Sequence, residues 1–149
     1  MSGLGSLPSW VVGDRPVHHL VVEREVAFRD CDPMGVLWHG NYLAYAEAAR
    51  EALGRGIGWG VPQIRDRGFF APVVRSQVVH RAPARPGDIL TIAVGLYATA
   101  QPRLLHRYHL SIAGTAVAEV ETEQVFTDRA FTLVLQQPEG LAALLRGTP

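Results

Sequence analysis

The stretch Asp30-Cys31-Asp32-Pro33-Met34-Gly35-Val36-Leu37-Trp38-His39-Gly40-Asn41-Tyr42 decides how this chain is read. A Val-rich run, Leu20-Val21-Val22-Glu23-Arg24-Glu25-Val26-Ala27-Phe28, leads into it and reads as a first β-strand. Behind it, residues 41–55 carry the periodicity of a helix, with Gly54, Gly56, Gly58 and Gly60 expected to end it. Between strand and helix, Pro33 and Gly35 turn the chain, so two carboxylates stand just ahead of a helix start. Helix starts expose unpaired backbone N–H groups and the positive end of the helix dipole. A carboxylate held there can act as base or nucleophile while the N–H groups receive an oxyanion. That combination suits acyl transfer from a thioester to water.

Working outward, the helical segment divides into two faces. Tyr42, Tyr45, Ala46, Ala48, Ala49, Ala52 and Leu53 share one, and Glu47, Arg50, Glu51 and Arg55 the other. Glu47–Arg50 and Glu51–Arg55 have the spacing of helix-surface ion pairs. The alanine-rich inner face lets a sheet approach closely. Residues 59–68 form a loop or short helix around Pro62. Further strands are expected over residues 69–81, 89–98, 104–112 and 116–127, the last two joined tightly at Gly114-Thr115. Glu119, Glu121 and Glu123 alternate with Val120 and Thr122, the pattern of a half-exposed strand. Residues 138–146 read as a short C-terminal helix with Pro138 near its first turn. One strand, a helix and then four strands make an α+β chain with an antiparallel sheet.

A length of 149 residues implies one domain with a sizeable core. The expected division is a flexible leader over residues 1–16, rich in Gly, Ser and Pro, and a folded domain over 17–149. Zero net charge gives no reason to expect a nucleic-acid partner or an anionic membrane surface. All fourteen basic residues are Arg; phosphate contacts and a GC-rich genome would each produce that bias. A single cysteine excludes an internal disulfide. No stretch has transmembrane length and the start lacks a secretory signal, so a cytoplasmic location is expected. His18-His19 and His106-x-x-His109 lack companion ligands, and no Walker or Rossmann loop appears, so neither metal nor cofactor is expected.

The motif Asp-Cys-Asp-Pro-x-Gly-Val-x-Trp-x-x-Asn-Tyr resembles the start of the 4-hydroxybenzoyl-CoA thioesterase group of hot-dog-fold proteins. Residues 36–50, with His39-x-Asn41-Tyr42-Leu43 and Glu47-Ala48-Ala49-Arg50, are similar to the neighbouring YbgC-like acyl-CoA thioesterases. Val74-Arg75-Ser76 and residues 83–90 resemble the second and third strands of that family, so the likeness runs from about residue 20 to residue 128. The resemblance implies a hot-dog fold, an antiparallel sheet wrapped around one long central helix. It also implies hydrolysis of an acyl-CoA thioester without a cofactor, by a homo-oligomer, most simply a dimer of dimers. An acyl-carrier-protein thioesterase and a non-catalytic acyl-thioester-binding protein are the alternatives.

Site roles follow from the same resemblance. Asp32 matches the essential carboxylate. The backbone N–H groups of His39 and Gly40 would receive the thioester oxygen, Trp38 and Tyr42 would line the acyl pocket, and Arg75 and Arg103 would meet the nucleotide phosphates. Asp30 is read as structural, and Cys31 as a small half-buried side chain beside Asp32. Glu47 is a rival carboxylate, because another hot-dog branch carries its catalytic Asp or Glu within the helix after a His-Gly-Gly start. Here Asn41 follows Gly40, so that start is incomplete.

Overall fold

Strand β4 (Ile89–Thr99) is the long spine on which the rest is ordered. The structure, a computed structural model, describes residues 3–146. Ahead of β4 come β1 (Val11–Val12), β2 (His18–Glu25), α1 (Tyr42–Ile57), α2 (Val61–Asp66) and β3 (Val73–His80). Behind it come β5 (Arg103–Ile112), β6 (Thr115–Val125) and α3 (Leu141–Leu145). The sheet is antiparallel, in the order β1-β4-β5-β6-β3, with β2 beside β1 along the same side of β4. It curls around α1, which packs against β2, β4, β5 and β6. This is the hot-dog arrangement.

Alternation along the strands sorts the side chains. Leu90, Ile92, Val94 and Leu96 of β4, with Leu104, Tyr108 and Leu110 of β5 and Val120 of β6, face inward and are buried. Tyr42, Tyr45, Ala46, Ala49 and Leu53 meet them from α1. The helix outlasts its expected last residue, Arg55, by two residues. The helix runs on to Ile57 and closes on Gly58, which takes the left-handed conformation at φ 75°. Gly54 serves packing instead, because a Cβ there would stand 2.9 Å from the Cα of Gly60.

The expected strand over 69–81 shortens to Val73–His80, since Pro72 has no N–H for the ladder. The C-terminal helix begins at Leu141 rather than at Pro138, after Gly140 at φ 86°; residues 147–149 of the expected domain lie outside the described residues. The segment expected to be a flexible leader is, from Gly3 on, laid against the sheet. Leu4 is buried, β1 pairs with the end of β4, and Arg107 donates to the carbonyls of Gly5 and Ser6. Residues 1–2 of that leader lie outside the described residues. Among the described residues no helix is long and apolar enough to cross a membrane.

The acidic stripe of β6 also differs from expectation. Glu121 and Glu123 are buried on the outer face of the sheet, 3% and 8% exposed. Arg75 and Arg107 both bind Glu121, Arg103 binds Glu123, and Arg81 binds Glu119. Period-2 alternation predicts which face a side chain takes. It does not say that arginines on the two flanking strands will cover it.

Among the described residues His106 is the one buried imidazole, and its burial sets a pH dependence. Desolvation first, then the nearby Arg50 guanidinium, lowers its pKa from 6.5 to about 3. The folded state therefore binds this proton less readily than the unfolded chain. Its contribution is full above pH 6.5 and falls as pH drops toward 3. Stability at pH 5 should lie about 2 kcal/mol below that at pH 7 from this residue alone. Urea titrations of wild type and His106→Leu at the two pH values check this: the difference should be smaller in the variant by about 2 kcal/mol.

Candidate active site

The segment between β2 and α1 is a small knot of backbone hydrogen bonds. After a single 3-10 turn at Phe28–Asp30, the chain forms a narrow hairpin bridged by Cys31 and Leu37. The Gly35 N–H reaches the Asp32 carbonyl and the Asp32 N–H reaches Val36, both at 2.9 Å. Gly35 at φ 78° supplies the left-handed residue that closes such a loop. The Leu37 N–H donates to Ala84 at 2.7 Å and anchors the hairpin to the turn before β4.

Asp30 holds this knot to the helix. Its Oδ2 accepts from the Tyr45 hydroxyl at 2.6 Å, and its carbonyl accepts from the Trp38 N–H and from Asn41 Nδ2. The same Tyr45 hydroxyl accepts from the Ala27 N–H at 3.0 Å. Asp30 is thus a structural carboxylate, and Asn41 stabilises the turn rather than capping α1 with its side chain. Asp32 stays half-buried. Its Oδ1 accepts from the Met34 N–H at 2.9 Å in an Asx-turn. Burial, then the charges of Asp30 and Asp32, raise the Cys31 thiol above its ordinary pKa, which suits a bystander and not a thiolate nucleophile.

His39, Gly40 and Asn41 form a 3-10 turn that runs straight into α1. His39 and Gly40 open the helical segment, so their N–H groups point out of its N-terminal end. An open groove of about 310 Å³ lies beside them. Asp32, Met34, Val36, Leu37, His39 and Tyr42 form one wall, and residues 80–83 close the other. Tyr42 is 3% exposed and its ring meets His80 edge-on, so it is core and groove wall at once. Burial raises its hydroxyl pKa, which keeps it protonated. Trp38 folds back beside the groove, tilted on the His39 ring with centroids 5.0 Å apart. Its ring covers Gly40 so closely that a Cβ there would stand 2.2 Å from it. A side chain there would require the Trp38 ring to move.

The structure does not bring Arg75 and Arg103 to this groove. Alternation along β3 and β5 turns both to the outer face, onto Glu121 and Glu123. Arg81, just past the end of β3, is the arginine among the groove's lining residues, and its guanidinium also binds Glu119 at 2.9 Å. Glu47 lies a helical turn beyond the groove, half-exposed and paired with Arg50 at 2.5 Å.

Arg50 is the residue whose placement sequence reasoning missed. Assigned to the charged face, it is largely buried, with only 15% of its side chain exposed. It lines a cavity beneath α1 with His106 and Gln124. The signal was available: Arg50 is four residues after Ala46 and three before Leu53, both on the inner stripe.

Residues 26–145 match the family model described as the thioesterase-like superfamily. The chain belongs to this superfamily. Its matched span begins just ahead of the Asp32 hairpin and covers the helix and the whole main sheet from β3 onward. A protein of Bacillus subtilis named "Putative acyl-CoA thioesterase YneP" is 24% identical to this thioesterase-like chain over 108 residues, 72% of this chain and 78% of that protein. Among solved structures, a hypothetical protein of Thermus thermophilus is 30% identical, with 86% and 95% of the two chains covered and a TM-score of 0.77. A 1,4-dihydroxy-2-naphthoyl-CoA thioesterase from Synechocystis shares the fold at 24% identity, with 88% and 99% covered and a TM-score of 0.74.

Proposed function

We propose that this thioesterase-like chain hydrolyses an acyl-CoA thioester to the free acid and coenzyme A, with Asp32 as the working carboxylate. One observation supports the assignment of the site: Asp32 and His39, the residue that opens the turn into α1, line one groove. The thioester carbonyl would lie between them. Its oxygen gains charge as the tetrahedral intermediate forms, and the N–H groups of His39 and Gly40 receive that charge. Asp32 either takes a proton from the attacking water or attacks the carbonyl carbon itself. The C–S bond then breaks and coenzyme A leaves as the thiolate, which takes up a proton; on the nucleophilic route water then cleaves the acyl–Asp32 anhydride, releasing the acid and restoring the carboxylate. Met34 N–H binds Oδ1 of Asp32, and the second carboxylate oxygen serves the water.

Tyr42 forms the inner wall for the acyl group and Trp38 its outer side. Arg75, Arg81 and Arg103 each hold a glutamate for which a phosphate would have to compete, and Arg81 is the better placed to meet the nucleotide because it alone of the three lines the groove. A cytoplasmic enzyme acting on coenzyme A esters fits this reading. The test is thiol release across a panel of aromatic and aliphatic acyl-CoAs, beginning with aromatic ones because the Synechocystis relative is named for such a substrate. Turnover of at least one ester is expected. Calorimetric binding of an acyl-CoA with no thiol release would select the non-catalytic alternative, and release only from an acyl-carrier-protein ester would select the other.

The working unit in this reading is a homo-oligomer, a dimer or a dimer of dimers. The strand order ends on β3, whose outer edge offers unpaired N–H and C=O groups, and Val73 and Val74 on it are exposed. Edge-to-edge pairing of two copies through β3 would cover that liability. Light scattering at micromolar concentration should give a dimer or tetramer mass; a monomer overturns this assembly.

A further inference from the structure

At the opposite end of β3 from Asp32, Val61, Ile64, Phe69, Phe70, Pro72 and Phe131 wall an apolar hollow of about 270 Å³. The length of β3 separates the two places, roughly 26 Å at 3.3 Å per residue. Within one chain this hollow therefore cannot serve Asp32. Val61, Ile64 and Gln124 also line the narrower cavity under α1, about 40 Å³, that Arg50 and His106 border. Gln124 thus stands where the apolar hollow meets a polar one.

Phe131 is held in place against its own preference. Its φ of 63° is an outlier for a bulky residue. Asp128 enforces it: Oδ1 accepts from the N–H groups of Ala130 and Thr132 at 2.8 and 2.9 Å, and its carbonyl from Phe131 at 3.1 Å. The outcome is a ring 71% exposed and stacked on Phe70, with centroids 5.2 Å apart. Strain that sets an aromatic face at the mouth of an apolar hollow is the kind that binding sites retain.

The polar side is equally specific. Gln124 Nε2 donates to the Ala71 carbonyl at 2.6 Å, which fixes the amide and leaves Oε1 as a pure acceptor. Gln124 and His106 are 6% and 5% exposed. Gln124 Oε1, His106 Nδ1 and Arg50 Nη1 are buried without a partner, three of the four such side-chain atoms among the described residues. Their gathering in one cavity calls for a group that both donates and accepts, because each unmatched buried group costs stability. A carboxylate would satisfy Arg50 but bring no proton to Gln124. An ammonium would do the reverse and meet a guanidinium. A hydroxyl both donates and accepts.

We propose that this paired hollow is a binding site for an apolar molecule or group carrying one hydroxyl. The apolar body lies against Phe70 and Phe131, and the hydroxyl donates to Gln124 Oε1 while accepting from the Arg50 and His106 side. The hydroxyl-bearing group is either a free small molecule or the acyl end of a thioester held by a second copy. The second source rests on the hydrolase reading above, the first does not.

Benzyl alcohol and toluene are suitable probes, titrated into the full chain and followed by amide chemical shifts. The alcohol should bind about tenfold more tightly, the weight of one good hydrogen bond. Gln124→Met should bring the two affinities together while leaving that of toluene in place. Phe131→Ala, a change at an exposed residue, should weaken both probes and preserve their ratio. Equal affinities in the wild type overturn the proposal, as does binding that Phe131→Ala leaves untouched. These two readouts decide the matter even if Gln124→Met does not fold. An alcohol that raises the KM of thioester hydrolysis at constant kcat identifies the acyl group as the natural occupant; binding without that effect identifies a separate ligand. A chain that binds the alcohol but hydrolyses no thioester removes the hydrolase reading and keeps the site.

Discussion

Asp32→Asn should lower kcat by at least about 10²-fold, the usual scale for a positioned acid–base group, and by more if Asp32 is the nucleophile. Asparagine retains an Oδ1 that can accept from the Met34 N–H, so the Asx-turn and the hairpin around Gly35 should survive. Loss of activity would then report on chemistry and not on folding. Glu47→Gln is the matched control. Glu47 is half-exposed, bound to Arg50, and does not line the Asp32 groove. Its replacement should leave hydrolysis within several-fold. Thiol release from one acyl-CoA, with circular dichroism to confirm folding, compares the two. An inactive Glu47→Gln beside an active Asp32→Asn would put the base within the helix and reject this assignment.

The second large effect is on stability. Glu121→Ala should cost about 3 kcal/mol, the lower part of the range for breaking a buried ion pair. Glu121 is 3% exposed and carries two arginines: Arg75 Nη1 at 3.0 Å and Arg107 Nε at 2.7 Å. Arg75 is more than half exposed and can turn to water once the carboxylate is gone. Arg107, only 15% exposed, cannot do so freely, and its uncompensated charge dominates the loss. Because Arg107 also holds the carbonyls of Gly5 and Ser6, the variant should show faster amide exchange over residues 3–16 than the wild type. Denaturant unfolding gives the magnitude. A loss below about 1 kcal/mol would mean that water solvates both arginines in the folded protein, and the stripe would then be a surface feature.

The elements were largely legible in the sequence because each has a local cause. Gly35 and Pro33 make the turn, Gly114 makes the β5–β6 hairpin, and β-branched runs make the strands. The boundaries that moved did so for tertiary reasons. Gly54 reads as a helix breaker, yet it is in the helix because the chain doubles back over it at Gly60. The two-residue strand β1 has no pattern of its own and exists only because the end of β4 was left without a partner on that side.

The same division holds for the site. Asp32, His39 and Tyr42, which line one groove, are close in sequence, so the hairpin and helix start that hold them could be read from thirteen consecutive residues. The sequence by itself determined the family and the fold class. Only the tertiary structure decided what the charges do. Arg75 and Arg103 look free in the sequence, but strand pairing lays them over Glu121 and Glu123, residues 46 and 20 positions away. Arg50 looks like half of a surface pair, but the curl of the sheet places it opposite His106 and Gln124. Long-range pairing sets the surroundings of a charge, and those surroundings, rather than residue type or spacing, decide whether it binds a ligand, carries a fold or meets solvent.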